Sequence, residues 1–220
     1  MIGWDRKSTL ESKMINVVDN RYIFIHIPKC AGTSIAKAIG LGDITSHMKA
    51  CEIRKSIGWF RYSTLFKFAF VRNPWSRFLS LYNYARMEES YYHSSIHPSK
   101  AKYGKHLDYD LLKDASLNDC ANLLINGELL HDKQWNHWMP QYTWLFNKKG
   151  NSNIVNFIGK VEHMEQELQI LKDKLKIQIR IEKLNESSTH TNYQDFYDNK
   201  TKRIVDRYYE KDIRSLGYKF

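Results

Sequence analysis

The stretch Tyr22-Ile23-Phe24-Ile25-His26-Ile27-Pro28-Lys29-Cys30-Ala31-Gly32-Thr33-Ser34 decides the fold class. Its first six residues are a nearly continuous run of β-formers, the pattern of a strand buried on both faces in a parallel sheet. Pro28 stops the run, and Lys29 to Ser34 is small and turn-like. Ile35, Ala38 and Ile39 then recur at helical spacing until Gly40 and Gly42 close the helix. Strand, loop and helix make the first half of a βαβ unit.

The pattern returns downstream. Phe66-Lys67-Phe68-Ala69-Phe70-Val71 reads as a second strand, closed by Arg72-Asn73-Pro74. Pro74 suits the first turn of a helix, and Phe78, Leu81, Tyr82 and Ala85 share one face of it. The spacing further predicts a mostly helical stretch from Leu111 to Leu130 and a strand from Ile154 to Gly159. A helix through Glu165, Leu168, Leu171 and Leu175, a strand from Ile177 to Ile181, and a last helix with Ile204, Val205, Tyr208 and Ile213 complete the order. Strands alternating with helices imply an α/β three-layer domain. His26 falls inside the first strand on this reading, as a packed core histidine.

Composition narrows the partners. The 220 residues carry 34 Lys+Arg against 24 Asp+Glu, a net charge of +10, which calls for an anionic partner without naming it. A 42% hydrophobic content excludes a disordered tail, and 10 Gly and 4 Pro exclude a collagen-like chain. No apolar run approaches the ~20 residues of a membrane span. The start Met1-Ile2-Gly3-Trp4-Asp5-Arg6-Lys7 has no apolar stretch of the signal-peptide kind. Cys30, Cys51 and Cys120 form no CxxC pair, so reduced thiols in a cytosolic-type compartment are expected. His93 and His97 have i, i+4 spacing in a poor helix context, and no metal site is expected. Lys172, Lys174, Lys176, Arg180 and Lys183 read as a solvated face, and no nucleic-acid-binding signature is present.

A loop that leaves a buried strand and enters a helix gathers backbone N–H groups around one point, a cradle for an anion. Gly32 permits close approach, Thr33 and Ser34 offer hydroxyls, and Lys29 supplies a full charge. The nucleotide loop GxxxxGK[ST] is not matched, because Lys29 lies on the strand side of the glycine. The second strand ends in Arg72-Asn73 instead of a magnesium-binding Asp. These departures count against a P-loop kinase or nucleotide hydrolase and favour phosphate held without metal. Arg72 and Ser80, a planar fork and a hydroxyl, could grip a terminal phosphate, and Arg77 is either part of that grip or a solvated charge.

Phe24 through Ser34, followed by Phe70-Val71-Arg72-Asn73-Pro74-Trp75-Ser76-Arg77, resembles the carbohydrate branch (sulfotransferase family 2-like) of the sulfotransferases that use 3′-phosphoadenosine 5′-phosphosulfate (PAPS). Phe157-Ile158-Gly159-Lys160-Val161-Glu162, Leu184-Asn185-Glu186-Ser187-Ser188 and Tyr208 through Tyr218 extend the resemblance over roughly residues 20 to 220. It implies a P-loop-like α/β sandwich around a mainly parallel sheet, and a single domain over 1–220. Within it, 20–86 would form the cofactor core, about 88–150 a lid and substrate excursion, and 154–220 the rest of the core.

The resemblance implies that Lys29, Cys30, Ala31, Gly32, Thr33 and Ser34 hold the 5′-phosphosulfate. Arg72 and Ser80, with Arg77 as a further candidate, would hold the 3′-phosphate, and the segment around Ser188 would close over the donor. The family commonly has Thr where this chain has Cys30, which keeps the backbone N–H and loses a hydroxyl. The reaction implied is an in-line sulfuryl transfer to a glycan hydroxyl, or to a small-molecule hydroxyl or amine. It leaves adenosine 3′,5′-bisphosphate and requires no metal. Lys29 is the expected stabiliser of the leaving phosphate.

For the base, His47 resembles the position of a catalytic histidine in relatives that modify uronic acids, with His137, or Glu52 or another carboxylate, as the alternatives. His137, Trp138 and Gln141, in a stretch rich in aromatics and amides, are the expected substrate contacts. Trp135, Tyr142 and Trp144 also suit stacking on sugar faces. A non-catalytic polyanion binder is the remaining alternative. A cytoplasmic, bacterial-type soluble enzyme is expected, with a trimmed Golgi-luminal domain as the alternative.

Overall fold

Three short apolar runs find each other as one parallel sheet in the computed structural model, which describes residues 16–18, 20–41, 46–88, 105–131, 137–176 and 192–220. Strands β1 (Val17–Val18), β2 (Tyr22–Ile25), β3 (Phe66–Val71) and β4 (Phe157–Lys160) lie in that order, with β1 antiparallel to β2 and the other pairings parallel. Tyr22 stands opposite Phe66 and Ile25 opposite Ala69. The carboxyl ends of β2 and β3 therefore open at one edge, the edge where parallel α/β sheets bind ligands.

The chain groups into two compact units, Met1–Arg72 with Gln141–Thr189, and Asn73–Pro140 with His190–Phe220. The first unit holds the sheet. One sheet face presents Tyr22, Phe24, Phe68 and Phe70 to Ile35, Ala36, Ala38 and Ile39 of α1 (Gly32–Ala38). The same cluster takes in Leu168, Leu171 and Leu175 of a later helix, Met164–Leu175. Burying each large side chain contributes about 1.5–3 kcal/mol. The packing is close enough that a Cβ on Gly159 would lie 2.6 Å from the Phe70 ring, so this strand position takes only glycine. Helices α2 (Ala50–Ile57) and α3 (Trp59–Thr64) fill the connection between α1 and β3. Lys172 and Lys174 are exposed in the last turn of Met164–Leu175, where cations complement the helix dipole.

The second unit is helical among the described residues: α4 (Pro74–Ala85), α5 (Tyr109–Leu112), α6 (Leu117–Ile125), and, further on, Asn199–Tyr208 and Glu210–Leu216. Short helix α7 (Tyr142–Leu145) belongs to the first unit, so Met164–Leu175 is α8 and the last two are α9 and α10. Asn73 caps α4, its Oδ1 accepting the amides of Trp75 and Ser76 at 3.1 and 3.2 Å, with Pro74 at the first helical position. Phe78, Leu81, Tyr82 and Ala85 are all buried on one face, as the spacing predicts.

Several boundaries differ from the sequence reading. The first strand ends at Ile25, and His26 and Ile27 already belong to the loop, because the chain turns there with the Cys30 amide on Ile27 O at 3.3 Å. The strand expected from Ile154 begins at Phe157. Ile154 N donates to Leu145 O at 2.9 Å, Val155 N to Asn153 Oδ1 at 2.9 Å, and Asn156 makes a two-way bond with the Lys67 backbone. The helix expected over 111–130 breaks before Ser116, whose Oγ accepts the Asp119 amide while Asp119 Oδ2 accepts the Ser116 amide. The terminal helix breaks at Tyr209, whose side chain is buried and donates to Trp138 O at 2.6 Å. The strand expected at 177–181 and most of the excursion after Glu88 lie outside the described residues, and the expected core 20–86 contributes to both units.

Ser116 is exposed, so its cap can be measured cleanly. Ser116→Ala should lower stability by about 0.5–2 kcal/mol in urea unfolding, with an unchanged m-value.

Candidate active site

Loop 26–31 is built from uncommon backbone. Lys29 and Ala31 both occupy the left-handed region, at φ 63° and 55°, although neither is glycine. Left-handed residues cost of order 1 kcal/mol or more and persist only where surroundings enforce them. The enforcing groups are visible: Ile25, Ile27 and Cys30 are sealed from solvent, and the Cys30 amide closes the turn on Ile27 O. Thr33 and Ser34 follow on the first turn of α1, half-exposed.

Gly32 has a different reason to be glycine than the sequence suggests. A Cβ there would lie 1.9 Å from Cδ2 and 2.0 Å from Nε2 of His26. The close approach is made by a histidine ring, and Gly32 φ is not in the left-handed region. His26 in turn stacks on Phe24 (5.6 Å between centroids) and meets the His47 ring edge-on at 4.4 Å. Burial, and secondarily the neighbouring His47, hold the His26 pKa well below 6.5, so this ring is neutral. His47 is half-exposed, and its carbonyl accepts the Trp144 indole N–H at 2.8 Å. The histidine weighed as a base and the histidine read as core are thus one pair bordering the loop.

A second contact set ties the loop to the end of β3. Gln141 is fully enclosed; its Oε1 accepts the Arg72 amide at 2.9 Å and its Nε2 donates to Arg72 O at 2.8 Å. The same Oε1 accepts the Cys30 thiol at 3.2 Å, and that sulfur also reaches Pro28 O at 3.7 Å. Gln141, expected to touch substrate, instead positions Arg72 and Cys30. Cys30 has a hydrogen-bonding task of its own in place of the hydroxyl, and its amide is engaged with Ile27.

Lys29 is half-buried, and burial, followed by repulsion from Arg72 and opposed by Cys30, pushes its pKa from 10.5 down to about 8. Two cations therefore face each other's field at the carboxyl ends of adjacent strands. Folding depresses this lysine, so its charge costs stability at neutral pH, and the cost is relieved as pH rises through about 8.

The remaining expected residues sit in the second unit or outside the described chain. Arg77 is buried, not solvated: Nη1 donates to Met139 O at 3.0 Å and Nη2 to His137 O at 2.7 Å. The geometry gives its fork the task of holding that turn. Trp138 is fully enclosed, its indole on Asp108 Oδ2 at 3.0 Å and its ring packed on Phe78 at 5.8 Å. Trp144 is likewise enclosed, so neither tryptophan presents a stacking face. His137 is half-exposed, Ser80 is half-exposed on α4, and Ser188 and Trp135 lie outside the described residues.

Sequence reasoning missed one cluster. His106, His131 and His137 bring one ring nitrogen each to within 4.8 Å of the others. Their irregular spacing carries no ligand signature, and only the folding of the second unit joins them.

The family whose profile matches residues 14–219 is described as the sulfotransferase family. That match covers nearly the whole chain, and the protein belongs to this family. It is accordingly a sulfate-transferring enzyme on a mixed α/β fold with a mostly parallel four-stranded sheet flanked by helices. No curated protein and no solved structure matches the chain. No helix among the described residues is long and apolar enough to cross a membrane.

Two outcomes are expected. Gly32→Ala should lose about 1–3 kcal/mol in thermal or urea unfolding, and His26→Ala in the same chain should recover part of that loss, because the two changes share one contact. An NMR titration of the Lys29 ammonium should give a midpoint near 8 that rises in Arg72→Ala; an ordinary lysine midpoint in the wild type removes the paired-cation description.

Proposed function

We propose that the protein transfers a sulfuryl group from 3′-phosphoadenosine 5′-phosphosulfate to a hydroxyl of a carbohydrate acceptor. The observation that carries this reading is the placement of Lys29 and Arg72 at the carboxyl ends of adjacent parallel strands, with Gln141 holding the Arg72 backbone against the Cys30 thiol. The fit of the donor is good on chemical grounds. Its phosphosulfate and 3′-phosphate are separate anionic groups, and the two cations oppose each other until an anion joins them. The donor, when bound, supplies the sulfuryl group and a phosphate leaving group.

In this reading Lys29 and loop residues Ala31, Gly32, Thr33 and Ser34 bind the phosphosulfate end, and Cys30, its amide and thiol engaged within the protein, shapes the loop. Lys29 carries the charge that stabilises the departing phosphate. Arg72 binds the 3′-phosphate; Ser80 and Ser188 enter the reading from the sequence alone. His47 takes the proton from the acceptor hydroxyl, with its ring held edge-on by neutral His26 and its backbone by Trp144. His137 remains a candidate acceptor contact. The carbohydrate class of the acceptor rests on the motif resemblance. Transfer by these groups uses no metal.

A thermal-stabilisation comparison tests the reading. Adenosine 3′,5′-bisphosphate without magnesium should raise the melting temperature more than ATP with magnesium or an oligonucleotide does. Preference for either of the latter overturns it. Lys29→Ala should cost about 10²–10³-fold in kcat while weakening bisphosphate binding less. His47→Ala should remove the acidic limb of the pH–rate profile and leave bisphosphate binding intact; an unchanged profile reassigns the base.

A further inference from the structure

Outside the loop and its strand ends, the second unit gathers three imidazoles, of which His137 alone has been considered for the transfer reaction, as a candidate acceptor contact. We propose that His106, His131 and His137 form a three-histidine site for a divalent transition metal of the zinc class, with a fourth position for a non-protein ligand. His106 and His131 are buried and His137 is half-buried. The His106 and His131 rings lie 3.9 Å apart and nearly parallel, and His137 stands 4.2 Å from His131 at 47°. Their ligand nitrogens lie within 4.8 Å of one another. Tetrahedral coordination with 2.0–2.1 Å bonds needs about 3.4 Å between nitrogens, so modest ring rotations close the set.

The surroundings have the form of an outer shell. Asp108 is fully enclosed, and its carboxylate accepts the Leu130 amide at 2.6 Å, the His131 amide at 3.2 Å and the Trp138 indole at 3.0 Å. One carboxylate thereby places His131 and the turn that carries His137. Arg77 fixes the other side of that turn through the carbonyls of His137 and Met139, and its positive charge is an adverse neighbour. The Asp108 backbone amide donates to His106 Nδ1 at 3.1 Å, which puts the ring proton on Nε2. A metal taken by Nε2 displaces that proton to Nδ1, so the Asp108 amide bond is given up, and a rotation of the ring then turns the Nδ1 proton toward Asp108 Oδ2, 3.8 Å away in the metal-free geometry. This is the carboxylate–histidine–metal relation that orients ligating histidines and supplies negative charge. Imidazole nitrogen donors select zinc, cobalt, nickel or copper over magnesium and calcium.

The test uses the whole chain, stripped with EDTA, dialysed, and titrated with zinc chloride or cobalt chloride. One zinc per chain should survive gel filtration, and saturating zinc should raise the melting temperature by about 5–10 °C. Cobalt should give the visible bands of a low-coordinate nitrogen site. His131→Ala and the milder His137→Gln should each lose the bound zinc, the cobalt bands and the zinc-dependent shift. His137→Gln in EDTA should keep the circular dichroism of the wild type in EDTA, which separates lost metal from lost fold. His163→Ala, at an exposed histidine, should retain all three readouts. Wild type without stoichiometric zinc, or His137→Gln with zinc retained, overturns the proposal and leaves the cluster as an aromatic stack in the core.

Discussion

The carboxamide of Gln141 is the contact on which the candidate site depends. It forms a reciprocal pair with the Arg72 peptide, the bonding a further strand residue would supply, and it accepts the Cys30 thiol on the same oxygen. Backbone groups at strand ends have no ladder partner, and leaving them dry and unsatisfied costs about 1–3 kcal/mol each. Gln141 meets that need and fixes two loops with one side chain. The parallel register of β2 and β3 puts Lys29 and Arg72 at the same edge, and Gln141 holds the backbones that present them.

The histidine pair shows a similar economy. Gly32 lacks a side chain so that His26 can lie on α1, and His26 offers its ring to His47. Three residues that look independent in sequence are a stack of consecutive contacts. A change in the first is therefore expected to reach the third through the His26 ring. Neutral His26 matters here: a second charged imidazole beside the proposed base would disfavour proton uptake by it.

The sheet is legible because β2 is a continuous apolar run and β3 is one broken only by Lys67, both largely buried, a pattern with few other readings. Asn73-Pro74 and Ser116-Leu117-Asn118-Asp119 announce helix starts by side-chain chemistry, and the structure uses both, the second inside a stretch whose spacing alone predicts one longer helix. The break at Tyr209 has no such local cause. It follows from a buried phenol reaching Trp138 O, a long-range contact that no window of sequence contains. The same holds for the site. Lys29 and Arg72 follow β2 and β3, as the strand pattern predicts, whereas Gln141, Trp138 and Arg77, whose residue types suggest outward-facing tasks, are buried. Polar or aromatic identity says what a side chain can bond, and only packing says whether water, ligand or protein is its partner. The His106–His131–His137 cluster is the extreme case, assembled from segments with no common pattern.

The left-handed Lys29 and Ala31 have one more consequence. Side chains at such φ values are held there by the sheet below and the turn around Cys30, so the loop is a sprung element, compressed in the resting enzyme. Glycine at either position would release that tension and raise the stability of the fold in isolation. It would also let the loop sample many shapes before an anion arrives, and the entropy of ordering it would then fall on the binding step. The strained residues shift that cost to folding, so that in the proposed function the loop would meet the donor already in one shape.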